Sequence, residues 1–254
     1  MGRKMDRITS RKNAAGVLLR ALAADASLRA ERGEFVCDGL KLLGEAAASG
    51  AEITSVLWKE GGAVGTADCA RQYLAPQELF DYASPMKNSP GPLFTVRFRP
   101  DSAQRTERAI VLENVQDPGN VGTVLRTANA FGVDAVVLIG DCADLYSPKT
   151  VRATMGAIFR QRVLRMELEK LPEWLRRNGL KLYGAALSPD AADLREVDIT
   201  RSAVAVGSEG RGLSRELLRL CEKTLIIPMA PQSEPLNAAV AASVVMWEMR
   251  RARR

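Results

Sequence analysis

From residue 108 onward the chain alternates short apolar runs with amphipathic segments, and this alternation restricts the fold more than any other feature. Nearly continuous apolar runs of this length are typical of strands covered on both faces, as in a parallel sheet with helices on each side. The runs are AIVLE (109–113), DAVVLIG (134–140), LKLYGAAL (180–187), AVAVG (203–207) and TLIIPM (224–229), with QRVLRM (161–166) as a weaker candidate. The sequence therefore predicts a C-terminal α/β domain with a mostly parallel sheet.

Helix signals lie between and after these runs. Asp117 is suited to cap the first helix, Pro118 to occupy its first position and Gly132 to end it. A last helix is predicted over 235–250. One of its faces carries Leu236, Val240, Ser243, Val244 and Trp247, and a second apolar stripe carries Ala239, Met246 and Met249. Because a terminal helix that is apolar on two sides usually packs against more than its own domain, we expect a dimer interface there.

The N-terminal part of the chain is predicted to form a smaller α/β domain. Its expected elements are a helix over 8–26 capped by Ser10 or Asn13, a strand over 33–39, a helix over 40–50, a strand over 53–59, a helix over 76–82 and a strand over 93–98. The stretch RPDSAQRTE (99–107) is polar except for one alanine, which is typical of a linker. We therefore predict two domains, 1–98 and 108–254, joined by the linker 99–107.

Composition restricts the chemistry. The 254 residues include no histidine, which excludes Ser-His-Asp hydrolysis, histidine acid–base catalysis and histidine-ligated metals. The net charge of +6 favours a polyanionic partner. Many basic residues lie near the N-terminus, where they indicate either a nucleic-acid footprint or a solvated tail with a charged helix face. They are Arg3, Lys4, Arg7, Arg11, Lys12, Arg20, Arg29 and Arg32.

Cysteine spacing and the distribution of apolar residues predict the cellular setting. The cysteines are far apart and form no CxxC pair, so we expect free thiols, no zinc site and no disulfide framework. They are Cys37, Cys69, Cys142 and Cys221. The basic N-terminus is not followed by an apolar segment, and no apolar run approaches the length of a membrane span. We therefore expect a cytoplasmic protein without membrane or metal.

Three loops that follow predicted strands hold unusual polar residues. They are QDPGNVGTVLRTANAFG (116–132), GSEGRGLS (207–214) and IPMAPQSEPLN (227–237). Loops at the carboxyl ends of strands in α/β sheets bind ligands, so the three predict one shared site. Its candidate residues are Asn120, Arg126, Glu209 and Asn237. Three of them also have a simpler interpretation: an exposed position for Arg126, a surface glutamate near a helix N-terminus for Glu209 and a helix cap for Asn237.

The glycines of the second loop do not indicate a dinucleotide. GSEGRGL is out of register with GxGxxG and follows the fourth main strand rather than the first. We expect at least one of Gly207, Gly210 and Gly212 to be required by the backbone geometry of a tight turn.

The three loops resemble the motifs of the SpoU/TrmH family of the SPOUT superfamily, whose members are RNA 2′-O-ribose methyltransferases. The resemblance extends over NVQDPGNVGTVLRTANAFGVDAVVL (114–138), SPKTVRATMGAIF (147–159), AVAVGSEGRGLS (203–214) and LIIPMAPQSEPLNAAVAAS (225–243). ITSRKN and LRAERGEFVCDG resemble the N-terminal RNA-binding domain of many members, with Asp38 where glutamate is usual. Pro231 replaces the usual glycine, and Pro235 stands where serine is frequent.

The resemblance implies S-adenosylmethionine as methyl donor, a homodimer and a deep C-terminal trefoil knot. Hydrophobic periodicity cannot reveal a knot, and by itself it predicts an ordinary doubly wound sheet. The resemblance places Arg126 at the reacting ribose, as base or as charge stabiliser, and gives supporting roles to Asn120, Glu209 and Asn237. It assigns cofactor binding to Leu187, Gly207, Ile227, Met229 and Leu236.

The expected substrate is large-subunit (23S) rRNA, because family members that act on tRNA often lack a large N-terminal domain. The alternatives are a tRNA ribose methyltransferase, an rRNA methyltransferase that confers antibiotic resistance, and a non-catalytic RNA-binding factor in ribosome assembly. Binding of S-adenosylmethionine by the purified protein would separate the enzymes from the last alternative.

Overall fold

The computed structural model describes residues 5–65, 67–101 and 104–251. It divides into two compact units. The first unit contains the described residues up to Pro100 together with Asp144–Phe159, and the second contains Asp101–Ala143 and the described residues from Arg160 onward. The chain changes unit after Pro100, within the predicted linker 99–107. Residues 144–159, which we predicted to lie in the C-terminal domain, belong to the first unit.

The two units contain twelve strands and nine α-helices among the described residues. The strands are β1 (Asp6–Arg7), β2 (Glu34–Asp38), β3 (Ile53–Lys59), β4 (Arg71–Ala75), β5 (Leu93–Arg97), β6 (Ala109–Glu113), β7 (Ala135–Ile139), β8 (Val163–Arg165), β9 (Lys181–Ala185), β10 (Ala192–Asp193), β11 (Ser202–Gly207) and β12 (Lys223–Ile226). The helices are α1 (Ala14–Ala24), α2 (Ala26–Arg32), α3 (Leu40–Ala48), α4 (Gln77–Ala83), α5 (Pro118–Phe131), α6 (Pro148–Ala153), α7 (Leu171–Asn178), α8 (Arg215–Leu220) and α9 (Ala238–Arg251). None of these helices is long and apolar enough to cross a membrane.

The first unit is built on a mixed five-stranded sheet. Its strand order is β1-β4-β3-β5-β2, in which β4 is parallel to β1 and β3, whereas β5 is antiparallel to β3 and β2. The helix predicted over 8–26 is instead two helices. Asp25 adopts an extended backbone, and its carboxylate accepts hydrogen bonds from the Ser27 and Leu28 amides, so that α1 ends and α2 begins there. Of the two predicted caps, Asn13 is the one that caps α1.

Residues 144–159 join the first unit because their apolar side chains complete its core. Val151, Ile158 and Phe159 are buried in the same cluster as Phe35 and other residues of β2, β3 and β5. The Tyr146 ring lies 4.8 Å from that of Phe35. Burying a large apolar side chain contributes about 1.5–3 kcal/mol, so several of them together decide where the segment packs. An ion pair between buried Arg29 and half-buried Asp144 adds a polar contact at the start of the segment.

The second unit is built on a seven-stranded sheet in which every pair of neighbouring strands is parallel. The strand order is β10-β12-β9-β11-β6-β7-β8. Alternate residues of the central strands pack against α7 and α8 on one face. The intervening residues are also buried and point to the opposite face, where α5 contacts β7 and α9 contacts β11. These features confirm the predicted parallel sheet with helices on both faces, whereas the trefoil knot stays a prediction.

Helix ends in the second unit follow the predicted signals with one exception. Asp117 caps α5, Pro118 is its first residue and Gly132 ends it in the left-handed conformation. The last helix begins at Ala238 rather than at 235. Because the Asn237 carbonyl accepts the first helical hydrogen bond, from the Ala241 amide, Pro235 lies in the preceding loop and is not the first helical residue.

Candidate active site

A cavity of about 390 Å³ opens at the carboxyl ends of β9, β11 and β12. Its volume lies within the roughly 300–1,000 Å³ range of small-molecule sites. Aliphatic side chains form most of its wall, and Ser208, Glu209 and Arg211 contribute polar groups. The residues predicted to bind the cofactor all line this one cavity: Leu187, Gly207, Ile227, Met229 and Leu236.

Three of the four predicted catalytic residues form a hydrogen-bonded cluster beside the cavity. Asn120 Nδ2 donates to Glu209 Oε1. Asn237 Nδ2 lies 3.1 Å from Glu209 Oε1 and 3.0 Å from Asn120 Oδ1. The Ala238 amide also donates to Glu209 Oε1, at 3.3 Å. One carboxylate oxygen therefore joins all three loops, which the sequence places far apart.

The Asn237 side chain performs two structural tasks at once. Its Oδ1 accepts hydrogen bonds from the Ala239 amide at 2.9 Å and the Val240 amide at 3.3 Å, so it caps α9. Its Nδ2 is then directed to Asn120 and Glu209. The capping interpretation is therefore confirmed, and it is compatible with a role in the site, because the two ends of the amide serve different partners.

Arg126 does not join the cluster of its own chain. It follows Asn120 by six residues on α5, which places it about 9 Å farther along the axis and about 240° around it. The side chain is exposed. Within residues 5–65, 67–101 and 104–251, its guanidinium forms no hydrogen bond or ion pair. A single chain therefore presents the cluster without this cation.

The second loop is closed by a backbone contact that requires glycine. An added Cβ at Gly207 would lie 2.2 Å from the backbone of Gly212, far inside any tolerated contact. The Gly212 amide donates to the Ser208 carbonyl at 2.8 Å, and Gly212 has a φ of +65°. Gly210 has open space around it. The backbone requirement therefore applies to Gly207 and Gly212, and it fixes the tight fold of the loop that carries Glu209.

Glu113 is a site-supporting residue that the sequence interpretation missed. It ends β6 and is only 3% exposed. Its two oxygens accept hydrogen bonds from the Ser214 amide and the Ser214 hydroxyl, both at 2.7 Å. Ser214 in turn caps α8 through the Leu217 amide. The available signal was a carboxylate at the end of the buried strand AIVLE, since buried charges are nearly always paired.

The described residues around this site offer neither a reactive thiol nor a set of metal-ligating side chains. Burial, and secondarily the Glu113 carboxylate, raises the pKa of Cys221 to about 11, so its thiol stays protonated at neutral pH. In the described part of the chain, no group of three or more cysteine, aspartate or glutamate side chains is arranged to hold a metal ion.

Comparison with known proteins identifies the family. The model of the SpoU rRNA Methylase family matches residues 107–247, which is more than half of the chain. The chain belongs to the SpoU rRNA methylase family. It is therefore an enzyme of the methyltransferase class, as the motifs in the three loops predicted.

Relatives of this SpoU methylase are similar over nearly its whole length. The 23S rRNA (guanosine(2553)-2'-O)-methyltransferase RlmP of Bacillus subtilis (strain 168) is 33% identical over 226 residues, covering 87% of this chain and 90% of that protein. The 23S rRNA (uridine(2479)-2'-O)-methyltransferase of Streptomyces viridochromogenes is 29% identical over 269 residues, covering 97% and 92%. The crystal structure of an AdoMet-bound rRNA methyltransferase from Sinorhizobium meliloti superposes with a TM-score of 0.85 at 28% identity, covering 98% of this chain and 99% of that chain.

The two departures from the family pattern occupy different places in this SpoU methylase. Pro231 and Gln232 are the central residues of a turn closed by a hydrogen bond from the Ser233 amide to the Ala230 carbonyl. Gln232 has a φ of +66°, and proline is favoured just before such a residue in a type II turn. Pro231 is therefore compatible with the local backbone. Pro235, in contrast, lines the cavity, so it replaces a hydroxyl within the site.

Proposed function

We propose that this SpoU methylase transfers a methyl group from S-adenosylmethionine to a ribose 2′-hydroxyl of large-subunit (23S) rRNA. The observation that carries the proposal is the cavity lined by Leu187, Gly207, Ile227, Met229 and Leu236, next to the cluster of polar side chains from the three loops. The names of the two curated relatives support the substrate, because both are 23S rRNA 2′-O-methyltransferases and their similarity includes the first unit.

The residues that line the cavity fit S-adenosylmethionine. Apolar side chains would surround its adenine ring and methionine carbons, while backbone groups of the loops after β11 and β12 would bind its polar atoms. When bound, the cofactor supplies a methyl group on a positively charged sulfur, which is a good leaving group. The groups that the protein must supply are therefore those that orient the ribose and stabilise charge on its 2′-oxygen.

Charge stabilisation at the 2′-oxygen is assigned to Arg126. In the transfer, the 2′-oxygen forms a bond to the methyl carbon as the carbon–sulfur bond breaks, and the hydroxyl proton passes to water or a base. A guanidinium held beside this oxygen stabilises its developing negative charge. A guanidinium does not readily accept a proton, because it is already protonated at neutral pH. We therefore favour the electrostatic role over the role of base.

The task of orienting the ribose and the catalytic arginine is assigned to the cluster of Asn120, Glu209 and Asn237. Glu209 Oε1 accepts from both asparagine amides and from the Ala238 backbone, so the cluster ties the loop after β11 to the start of α9. This arrangement fixes the loops that line the cavity and leaves the second carboxylate oxygen of Glu209 free of these contacts. We infer that it holds the ribose and the catalytic arginine in place.

The arginine at each site is proposed to come from a second copy of the chain. On α9, Val240 is 48% exposed and Trp247 is 55% exposed, which is unusual for large apolar side chains on one helix stripe. The Trp247 ring contacts Phe131 of α5, the helix that also carries Arg126. A homodimer through this surface would bury the apolar stripe and bring Arg126 of each chain to the interface. Each cluster of Asn120, Glu209 and Asn237 would then receive from the partner the arginine that it lacks in a single chain.

The substrate is tested by methyl transfer from labelled S-adenosylmethionine to purified large-subunit rRNA, small-subunit rRNA and tRNA, with Arg126→Ala in parallel. A 2′-O-methyl group protects the adjacent linkage from alkaline cleavage, which maps the product. We expect one protected site in large-subunit rRNA and none with the variant. Label only in tRNA would overturn the substrate, and cofactor binding without label in any RNA would overturn the activity.

The origin of the arginine is tested by mixing two inactive variants, Arg126→Ala and Asn237→Ala, under conditions in which subunits exchange. If Arg126 acts across the interface, each mixed dimer contains one complete site, and the mixture recovers about a quarter of the wild-type activity. If Arg126 acts within its own chain, no mixed dimer has a complete site and the mixture stays inactive.

A further inference from the structure

We propose that rRNA phosphates bind a basic surface of the first unit formed by Lys41, Lys87, Lys149 and Arg152. Half of this surface comes from the segment 144–159, which in sequence lies inside the region matched by the SpoU family model. The proposal rests on the proposed function in one respect, namely that the substrate is rRNA.

The basic residues near the N-terminus, where the sequence predicted the nucleic-acid footprint, are largely engaged within the first unit. Four of them form ion pairs: Arg7 with Glu60, Arg11 with Glu78, Arg29 with Asp144 and Arg32 with Glu34. Arg20 lies 4.4 Å from the centre of the Tyr82 ring and donates to the Tyr82 carbonyl. Arg3 and Lys4 lie outside the described residues. This cluster therefore offers less uncompensated charge than its sequence suggests.

A second group of basic residues belongs to the elements that border a small recess of the first unit. Leu42, Met86 and Arg152 border the recess. Lys41 and Lys87 adjoin the first two in sequence and are exposed. Lys149 is exposed as well and precedes Arg152 by three residues on α6, which places the two on one side of that helix. Three separate elements thus converge to present four cations.

Lys41, Lys87, Lys149 and Arg152 retain their charge for an external partner. None of them forms an ion pair with another described residue. Within the described part of the chain, the side-chain hydrogen bond that these four residues make runs from Arg152 Nη1 to the neutral sulfur of Met86, at 3.2 Å. This contact orients the guanidinium without neutralising it.

The carboxylates near the recess do not cancel this charge. Asp38 borders the recess and interacts electrostatically with Arg152. It is half-buried, however, and accepts hydrogen bonds from the Ser84 and Ser89 hydroxyls, at 3.4 and 2.5 Å. Glu45 lies one turn after Lys41 on α3. Four exposed cations therefore face two carboxylates, and a polyanion such as RNA is the complementary partner.

The segment that carries Lys149 and Arg152 is held firmly. Asp144 pairs with buried Arg29 at its start, and the Tyr146 ring stacks on that of Phe98 at 3.9 Å. Its end is buried in the core of the first unit through Phe159. Long basic side chains on an anchored helix can contact successive phosphates and fix the register of the RNA without reading its sequence.

The test measures binding of in-vitro transcribed, unmodified 23S rRNA by the full-length protein over a series of KCl concentrations. The main variant replaces Lys41, Lys87, Lys149 and Arg152 by alanine. Each lost phosphate contact lowers the slope of log affinity against log salt by roughly 0.7–0.9, so we expect a slope shallower by about 3 and a Kd at least about tenfold higher. Binding of S-adenosylmethionine, measured by calorimetry, should be unchanged, and an unchanged circular dichroism spectrum and melting temperature would show that the first unit is still folded.

Two controls make the result specific to this surface. Arg71 is exposed, forms no ion pair with another described residue and does not border the recess, so Arg71→Ala is the matched control for Arg152→Ala. Arg71→Ala should leave the Kd for rRNA and the salt slope unchanged, whereas Arg152→Ala should lower the salt slope by roughly one. The alternative RNA-binding surface, formed by the basic residues near the N-terminus, is tested by the triple variant Arg7→Ala, Arg11→Ala and Arg20→Ala.

The inference is overturned if the quadruple variant binds rRNA like wild type, or if only the triple variant lowers the slope. Methyl transfer by the wild-type protein is measured in the same samples. If wild type methylates rRNA but the quadruple variant binds normally, the surface is wrong and the function stands. If wild type methylates no RNA while the quadruple variant loses binding, the surface stands and the proposed function is wrong.

Discussion

At the scale of single residues, Glu113 shows how a buried charge can support a site that it does not touch. Its carboxylate is 3% exposed and accepts both the amide and the hydroxyl of Ser214. A buried carboxylate without such partners would be strongly destabilising. The pair therefore joins the end of β6 to the end of the loop 207–214, which lines the cavity.

Glu113→Ala should weaken binding of S-adenosylmethionine more than it alters the chemistry. The change leaves the Ser214 amide without its partner, at a cost of about 1–3 kcal/mol, and loosens the loop. We expect the Kd for S-adenosylmethionine, measured by calorimetry, to rise by roughly 5- to 150-fold, whereas kcat at saturating cofactor changes little.

Glu113→Gln is the conservative comparison. An amide can still accept from the Ser214 backbone and donate to the Ser214 hydroxyl, so affinity should largely return if geometry is what matters. Equal loss of cofactor affinity in both variants would show instead that the negative charge itself is required. A fall in kcat without a change in Kd would argue against a role in positioning the loop.

Gly207→Ala tests the loop by steric means. The new Cβ would overlap the Gly212 backbone at 2.2 Å, so the loop must move away from β11. We expect loss of cofactor binding and a lower melting temperature in differential scanning calorimetry. Gly210→Ala is the matched control, because nothing lies within 4 Å of its added Cβ. Normal cofactor affinity in Gly207→Ala would contradict the loop geometry described above.

At the scale of elements, α9 serves the site and the proposed dimer with different faces. Its start, through Asn237, joins the polar cluster. Met246 and Met249 are fully buried against the rest of their own unit, whereas Val240 and Trp247 remain exposed. Of the two apolar stripes predicted from sequence, the one with Met246 and Met249 is therefore buried within the unit, and the one with Val240 and Trp247 is available to a partner.

Val240→Glu should convert the proposed homodimer to a monomer, because it places a charge in the apolar surface that the dimer would bury. Light scattering coupled to size-exclusion chromatography measures the result. Val17 of α1 is 45% exposed against 48% for Val240, so Val17→Glu is a matched control that should leave the mass unchanged. A wild-type protein that is monomeric at micromolar concentration would refute the proposed interface.

At the scale of the whole molecule, the first unit cannot be removed by cutting at the linker. Residues 144–159 bury Val151, Ile158 and Phe159 in a core whose other members precede residue 100. A fragment of residues 101–254 would therefore expose these apolar side chains. We expect this fragment to bind a hydrophobic dye and to be cleaved by limited proteolysis within 144–159.

The same treatment of the full-length protein provides the comparison for the fragment. Intact protein should bind little dye and resist cleavage in this segment. If the fragment resisted proteolysis there as the full-length protein does, the segment would have a stable packing of its own. Assays of RNA binding are for this reason better made with point variants than with a deletion of the first unit.

The local signals of the sequence determined the elements and the composition of the site. Apolar runs define the strands of the parallel sheet because burial on both faces requires continuous apolar side chains. Asp117, Pro118 and Gly132 fix the ends of α5 because capping and backbone conformation depend on neighbouring residues. The resemblance of the loops to family motifs was enough to assign the chain to its family before any contact was known.

Only the tertiary structure decided which residues meet. The assignment of 144–159 to the first unit, the contact of Glu113 with Ser214 and the meeting of Asn120, Glu209 and Asn237 all join positions far apart in the chain. The basic residues near the N-terminus illustrate the same limit, since a sequence counts charges but does not show which of them are paired. Local patterns fix backbone conformation and burial tendency, whereas pairing depends on distance in space, which the packing of the core alone sets.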